Sequence, residues 1–249
     1  MTQDAALSAA LATTAGRLLL AVRSEFAAAT PKVRGDEGDR RAHDLLAARL
    51  AELRPDDALL SEEGVDDPAR LRAERVWIVD PLDGTKEFGL WDRDDWAVHV
   101  ALWQAGELVA GAVALPAQDR TFSSAKAEPL PPAGSPLRIV VSRSRAPAFV
   151  PALADRLGAV IVPLGSAGAK AMALLQGRAD AYVHAGGMYE WDSAAPVAVA
   201  RAWGLHTSRL DGSPLVYNAR DPLLPDLVIC RPEVADRLLA ALAALVDPA

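Results

Sequence analysis

The sequence predicts an α/β protein, an α+β layered sandwich in two parts. Three observations carry that expectation. Beyond residue 136, short runs rich in β-branched residues alternate with alanine-rich helical stretches, the pattern of an α/β half. Before it, residues 96–103 and 108–115 read as two strands joined by a tight turn at Ala105-Gly106. Between them, residues 125–136 hold Pro129, Pro131, Pro132 and Pro136 and form the expected boundary. The parts are therefore an N-terminal α+β part, 1–136, and a C-terminal α/β part, 137–249. With 51% hydrophobic and 24% charged residues over 249 positions, the chain has the apolar surface that folding requires. Aromatic residues are only 5%, so the core must be aliphatic and alanine.

Leu7, Leu11, Leu18, Val22 and Phe26 recur near helical spacing, predicting a helix over 4–29 that Thr30-Pro31 ends. Residues 32–39, charged and containing Gly35 and Gly38, are expected as a loop, with a second helix over 40–53. A short apolar segment, 58–60, runs into Ser61-Glu62-Glu63-Gly64, and a charged helix is expected over 67–74. Val76-Trp77-Ile78-Val79 reads as a buried strand, stopped at Asp80-Pro81 because proline cannot continue a ladder. Strands at 137–142 and 159–164 flank a helix near 146–157. Helices over 167–177 and 193–203, a strand near 179–184, a hairpin turn at 210–213 and a last helix over 233–246 complete the expectation. No repeat of 20 to 50 residues is visible.

The 26 basic and 33 acidic residues give a net charge of -7. That disfavours nucleic acid and anionic membranes as partners, since both call for a basic excess. An anionic small molecule stays open if a metal ion or a local cluster supplies positive charge. The single cysteine, Cys230, allows neither an intramolecular disulfide nor a cysteine-based zinc cage, which suits a reducing cytoplasm. The first residues lack a basic region, Arg17 interrupts the apolar stretch behind them, and no uncharged run approaches the ~20 residues that span a bilayer. Oligomeric state is not readable.

The strongest chemical signal is Asp80-Pro81-Leu82-Asp83-Gly84-Thr85. Two carboxylates three residues apart follow a buried strand, with a backbone carbonyl between them, and hard divalent cations take such oxygen ligands. Gly84 lets backbone come close to an anion, and Thr85 offers a hydroxyl beside it. The same residues also suit a solvated turn that caps a helix. Glu62-Glu63 alone reads as an ordinary helix start. Asp192, in Trp191-Asp192-Ser193-Ala194-Ala195, reads equally as a helix N-cap or a ligand. His99 reads as a structural residue within a strand, His43 and His206 have no partner in sequence, and Cys230 reads as a small buried hydrophobe.

Together these segments resemble the inositol monophosphatase-like family of metal-dependent phosphatases, over most of the chain and in the same order. Ser61-Glu62-Glu63 is similar to its glutamate pair, Asp80 through Thr85 to its D-P-[IL]-D-G-T motif, and residues 191–195 to its W-D-x-A-A motif. Lys86-Glu87-Phe88, Ser142-Arg143-Ser144 and Glu190 before Trp191 resemble the CysQ-type 3'(2'),5'-bisphosphate nucleotidase branch. The resemblance implies an αβαβα fold and removal of the 3'-phosphate from 3'-phosphoadenosine 5'-phosphate. With that go a role in sulfur metabolism and inhibition by lithium.

It further implies that Glu62, Asp80, the Leu82 carbonyl, Asp83 and Asp192 hold two or three Mg²⁺ ions. Asp39 and Thr85 would orient the attacking water and relay its proton. Gly84 and Thr85 N–H groups would hold phosphoryl oxygens. Lys86, Ser142, Arg143, Ser166, Lys170, His184 and Glu190 would contact the rest of the substrate. The chain departs from the branch at His184, where arginine is usual, and at Gly168, where a larger residue is usual. Rivals are an inositol monophosphate or fructose 1,6-bisphosphate phosphatase and, from another class, a non-catalytic metal-dependent binder of nucleotide or polyphosphate. A P-loop is disfavoured because Ala169 separates Gly168 from Lys170. A glycosidase is disfavoured because its acids would face each other across a sugar.

Overall fold

Period-two alternation along the central strands of the first sheet sets the layering of the molecule. The computed structural model describes residues 3–246. The first sheet runs in sequence order: β1 (Ala58–Ser61), β2 (Arg75–Asp83), β3 (Ala97–Gln104), β4 (Glu107–Leu115) and β5 (Arg120–Ser123). β1 is parallel to β2, and the remaining pairs are antiparallel. On β2 and β3, Trp77, Val79, Val98, Val100 and Leu102 face α1 (Gln3–Glu25) and α2 (Pro31–Leu53). The alternate residues Val76, Ile78, Ala97 and Ala101 face the opposite way, toward α5 (Ala167–Leu175) and α6 (Glu190–Ala202).

The second sheet is β6 (Leu137–Ser142), β7 (Ala159–Leu164), β8 (Ala181–Tyr189), β9 (His206–Ser208) and β10 (Leu223–Cys230), in the order β7-β6-β8-β10-β9. Val140, Tyr182 and Ile229 on one of its faces pack on the other side of α5 and α6. Ile139, Val141, Val183 and Val228 on the other face pack on α4 (Val150–Leu157) and α7 (Pro232–Ala243). The layers are thus helices, sheet, helices, sheet, helices, the αβαβα order. The middle helices are squeezed between two sheets, which explains their alanines. A Cβ on Gly111 of β4 would stand 2.6 Å from the Ala198 Cβ of α6, so that approach needs glycine.

An 18-residue window of α1 has mean hydropathy 1.6, enough by length and composition to cross a membrane. Its apolar face is spent on the first sheet, where Ala12, Ala15 and Leu19 are fully buried.

Several elements depart from the sequence expectation. Residues 32–39 are not a loop but the start of α2, and Thr30-Pro31 begins that helix rather than ending α1. The Thr30 side chain accepts from the Val33 N–H, and Pro31 occupies the first turn, where a missing N–H costs nothing. Glycine is costly inside a helix by ~1 kcal/mol, but here packing requires it. A Cβ on Gly35 would stand 2.6 Å from Thr85 Cγ2, and one on Gly38 2.9 Å from Phe88 Cε1, so the glycines let α2 dock against α3 (Thr85–Gly89).

Pro81 does not end β2 either. Asp80 pairs with His99 and Asp83 with Ala97, so three steps on β2 match two on β3. That is a β-bulge, a setting that tolerates proline. Residues 67–74 form a short 3-10 turn, Pro68–Arg72. Residues 210–213 make a tight turn, but β9 and β10 around it are joined by a longer excursion. β5, β9 and β10 were not anticipated.

Candidate active site

The bulge in β2 is the local cause of the site. In a regular strand, residues three apart point to opposite faces. The extra residue between the Asp80 and Asp83 pairings brings the two carboxylates round to one side. Asp80 Oδ1 accepts from the Leu82 N–H at 3.0 Å, which fixes the turn between them. Gly84 follows at φ 90°, a left-handed conformation, and a Cβ there would stand 2.9 Å from Ser166 Cβ. α3 then begins at Thr85.

Asp192 arrives from the other half. It lies in the first turn of α6, not at the cap. Tyr189 is the N-cap, and Asp192 Oδ2 accepts the Tyr189 N–H at 2.6 Å. Asp80, Asp83 and Asp192 each offer a carboxylate oxygen within 4.8 Å of the others. Glu62, just past the end of β1, lines the same cleft and lies close enough to Asp80 for each to shift the other's pKa. The acids far apart in sequence therefore converge, as expected.

Crowding these carboxylates has an electrostatic signature. Burial, then the charges of Glu62, Asp83 and Asp192, push Asp80 well above the usual range. Burial and the Asp192 charge bring Glu62 up to about 7, and burial with the Asp83 charge brings Asp192 up to about 6. Asp83 goes the other way. Burial works to raise it, but the His99 ring, the Lys170 charge and the Gly168 N–H outweigh burial and hold it below its ordinary value. Asp83 Oδ1 accepts from the Ala167 N–H at 3.2 Å and Oδ2 from the Gly168 N–H at 2.6 Å, so the start of α5 grips this carboxylate. An all-oxygen donor set whose members resist ionising together fits a hard divalent cation, which would relieve the repulsion.

Asp39 sits beside this cluster on α2, with the Thr85 side chain near enough to lower its pKa. The Thr85 hydroxyl donates to the Leu82 carbonyl at 3.3 Å. Burial, followed by the charges of Glu62 and Glu63, pushes Asp39 up to about 8. Its Oδ1 is buried with no hydrogen-bond partner.

The cleft has a volume of about 670 Å³. Besides the acids it is lined by Leu82, Gly84, Thr85, Lys86, Ser142, Ser166, Lys170 and His184, all named from sequence. Lys170 is buried, donates to the Gly165 carbonyl at 2.5 Å and lies 5.3 Å from the centre of the Tyr182 ring. Burial lowers it to about 8. His184 bonds the Gly187 carbonyl at 2.9 Å, and burial lowers its pKa.

Two expected substrate contacts are turned elsewhere. The Arg143 guanidinium pairs with Asp95, and with Glu87 at 3.4 Å. The Glu190 carboxylate is buried and accepts the Asn218 and Ala219 N–H groups, each at 2.8 Å. Neither lines the cleft, because the backbone and ion pairs around them consume their polar atoms. Sequence reasoning missed Arg145, Tyr182 and Tyr189, which do line it. Tyr189 stacks on Trp191 with ring centres 4.6 Å apart. Only a serine-rich turn next to Arg145 hinted at any of them.

Comparison with known proteins agrees with this geometry. Residues 2–247 match the Inositol monophosphatase family. The chain is 54% identical over 242 residues to the 3'-phosphoadenosine 5'-phosphate phosphatase of Mycobacterium bovis, an alignment covering 92% of this chain and 89% of that protein. It is 33% identical over 201 residues to the 3'(2'),5'-bisphosphate nucleotidase CysQ of Escherichia coli, covering 75% and 80%. Among solved structures, CysQ from Bacteroides thetaiotaomicron superposes with a TM-score of 0.75 at 28% identity, covering 92% of this chain and 97% of that one.

Proposed function

The chain belongs to the inositol monophosphatase family, and from that premise we propose that it removes the 3'-phosphate of 3'-phosphoadenosine 5'-phosphate, giving AMP and phosphate. The observation that carries this reading is the convergence of Asp80, Asp83 and Asp192, with Glu62 beside them, in a chain 54% identical to a phosphatase of that specificity. The family is metal-dependent. Glu62, Asp80, the Leu82 carbonyl, Asp83 and Asp192 would hold Mg²⁺, two or three ions. When bound, the ions would offset the charge of the phosphate dianion and acidify a water.

The chain's own residues do the rest. Gly84 and Thr85 present backbone N–H groups to the phosphoryl oxygens. Thr85 orients the attacking water, and Asp39 beside it would take its proton once bound ions offset the neighbouring glutamate charges that raise its pKa in their absence. Lys170, Lys86, Ser142, Ser166 and His184 line the cleft and would face the nucleotide part of the substrate. The single cysteine is free and buried, in keeping with a cytoplasmic enzyme.

Phosphate release with Mg²⁺ from three substrates in parallel tests the reading: 3'-phosphoadenosine 5'-phosphate, inositol 1-phosphate and fructose 1,6-bisphosphate. The nucleotide is expected to give the largest kcat/KM, and lithium to inhibit. A larger value for either other substrate overturns the specificity. Nucleotide binding without phosphate release overturns the catalysis.

A further inference from the structure

His99 stands beside the acid cluster with no part in the chemistry above. It is wholly buried on β3, on the face turned toward α5 and α6, among the apolar neighbours Ala97, Ala101 and Val113. An imidazole placed there is costly unless its nitrogens are matched. Nδ1 is matched by the Trp191 carbonyl oxygen at 3.0 Å. Nε2 makes no aligned hydrogen bond, and its near neighbour is Asp83 Oδ2 at 3.1 Å, a charge contact when the ring is protonated. One partner is a carboxylate of the cluster, carried by β2. The other is the backbone directly before Asp192, at the start of α6. A single ring thus touches the segments that present two of the clustered acids.

Gly168 supplies a second, independent observation. A Cβ on it would overlap the His99 ring, and would stand 2.9 Å from Ala97 Cβ and 3.1 Å from Val113 Cγ1. The same residue donates its N–H to Asp83 Oδ2. A side chain at 168 would therefore drive the helix and the ring away from the oxygen they both hold.

We propose that His99 is a positioning residue whose ring acts as a strut between Asp83 and the start of α6, and that Gly168 is the gap that admits it. The strut sets how far apart Asp83 and Asp192 stand before any ion arrives. It rests on the reading that these carboxylates hold a divalent cation. Partners that orient a metal ligand are commonly worth about 10- to 100-fold in metal affinity.

The test is calorimetric titration of the full chain with Mg²⁺ alone, without substrate. His99→Phe keeps bulk and removes both nitrogens, and is expected to weaken Mg²⁺ binding by roughly 10- to 100-fold. In turnover, the Mg²⁺ concentration for half-activation rises in step, while KM for the nucleotide at saturating Mg²⁺ stays near wild type. His99→Gln, able to reach one partner, falls between. Gly168→Ala, which leaves the histidine in place, weakens Mg²⁺ binding in the same direction and less than additively with His99→Phe.

Should His99→Phe fail to fold, the glutamine and Gly168→Ala variants decide. Mg²⁺ affinity within about twofold of wild type in every folded variant, whatever their melting temperatures, overturns the strut and leaves the metal reading intact. A wild-type chain that takes up no Mg²⁺ overturns both.

Discussion

The two walls of the cleft are built in opposite ways. The wall from the first sheet is one contiguous stretch, Asp80 to Thr85, folded by a bulge so that neighbours in sequence are neighbours in space. The facing wall is gathered from residues 142–145, 165–170 and 182–189, and only packing brings them together. Around the first wall stand Glu62 from the end of β1 and Asp192 from α6, and burial and mutual repulsion push these two and Asp80 up in pKa while Asp83 is held down. The second carries Lys170, Arg145 and His184, and two of these are already committed to backbone carbonyls. The contrast separates chemistry from recognition. On the proposed function, the continuous wall, completed by Glu62 and Asp192, would hold what any phosphate monoester needs, and the assembled wall would hold what distinguishes one ester from another.

Substitutions can break that division. The largest effect belongs to the continuous wall. Asp83→Asn is expected to lower kcat by roughly 1,000-fold, since it removes charge from the most ionised acid of the cluster. Single-turnover phosphate release measures it, and a loss confined to KM would erase the distinction between the walls. Next come Asp39→Asn and Thr85→Val, each expected to lower kcat by roughly 100-fold or more with little change in KM.

The facing wall behaves differently. Arg145 makes no side-chain hydrogen bond or ion pair among the described residues, so its charge is available to a second anionic group. Arg145→Ala is expected to raise KM for 3'-phosphoadenosine 5'-phosphate by roughly 10- to 100-fold. KM for a monophosphate such as 3'-AMP stays nearly unchanged. Equal losses on both substrates would place Arg145 with the chemistry.

The smallest effect is on stability against pH. Asp39, Glu62 and Asp192 have folded pKa values raised to about 8, about 7 and about 6. The folded chain thus binds more protons than the unfolded one between their ordinary carboxylate values and these. Their contribution is fully present below about pH 4 and is lost as pH climbs toward 8. The melting temperature of metal-free protein is expected to fall across that window, and Mg²⁺ to flatten the fall. Melting curves at several pH values, with and without the ion, show whether the acids respond together.

How much the sequence disclosed follows the same contrast. Asp80, Asp83 and Thr85 gave the strongest signal, two carboxylates three residues apart after an apolar strand, though alone they suited a solvated turn as well. Glu62 and Asp192 were ambiguous on their own and gained meaning from order along the chain. Arg145, Tyr182 and Tyr189 were not legible, because a residue on an assembled wall has no signature until the strands pack. Helix α2 shows the same limit in the fold. Gly35 and Gly38 looked like loop residues, and only their fit against Thr85 and Phe88 reveals why a helix keeps them. The bulge at Pro81 was hidden by the rule that proline ends strands, which holds for regular ladders.

The helical layer of α5 and α6 has one owner too many to be divided. Each sheet uses it as half of its own interior. Severing the chain in the proline-rich stretch near 130 would leave an amino-terminal fragment with a bare sheet face and a carboxy-terminal fragment with a bare pair of helices. Such fragments are complementary: each keeps the interior on its outer side, and both lose the one they share. The catalytic centre therefore exists only as a property of the whole chain.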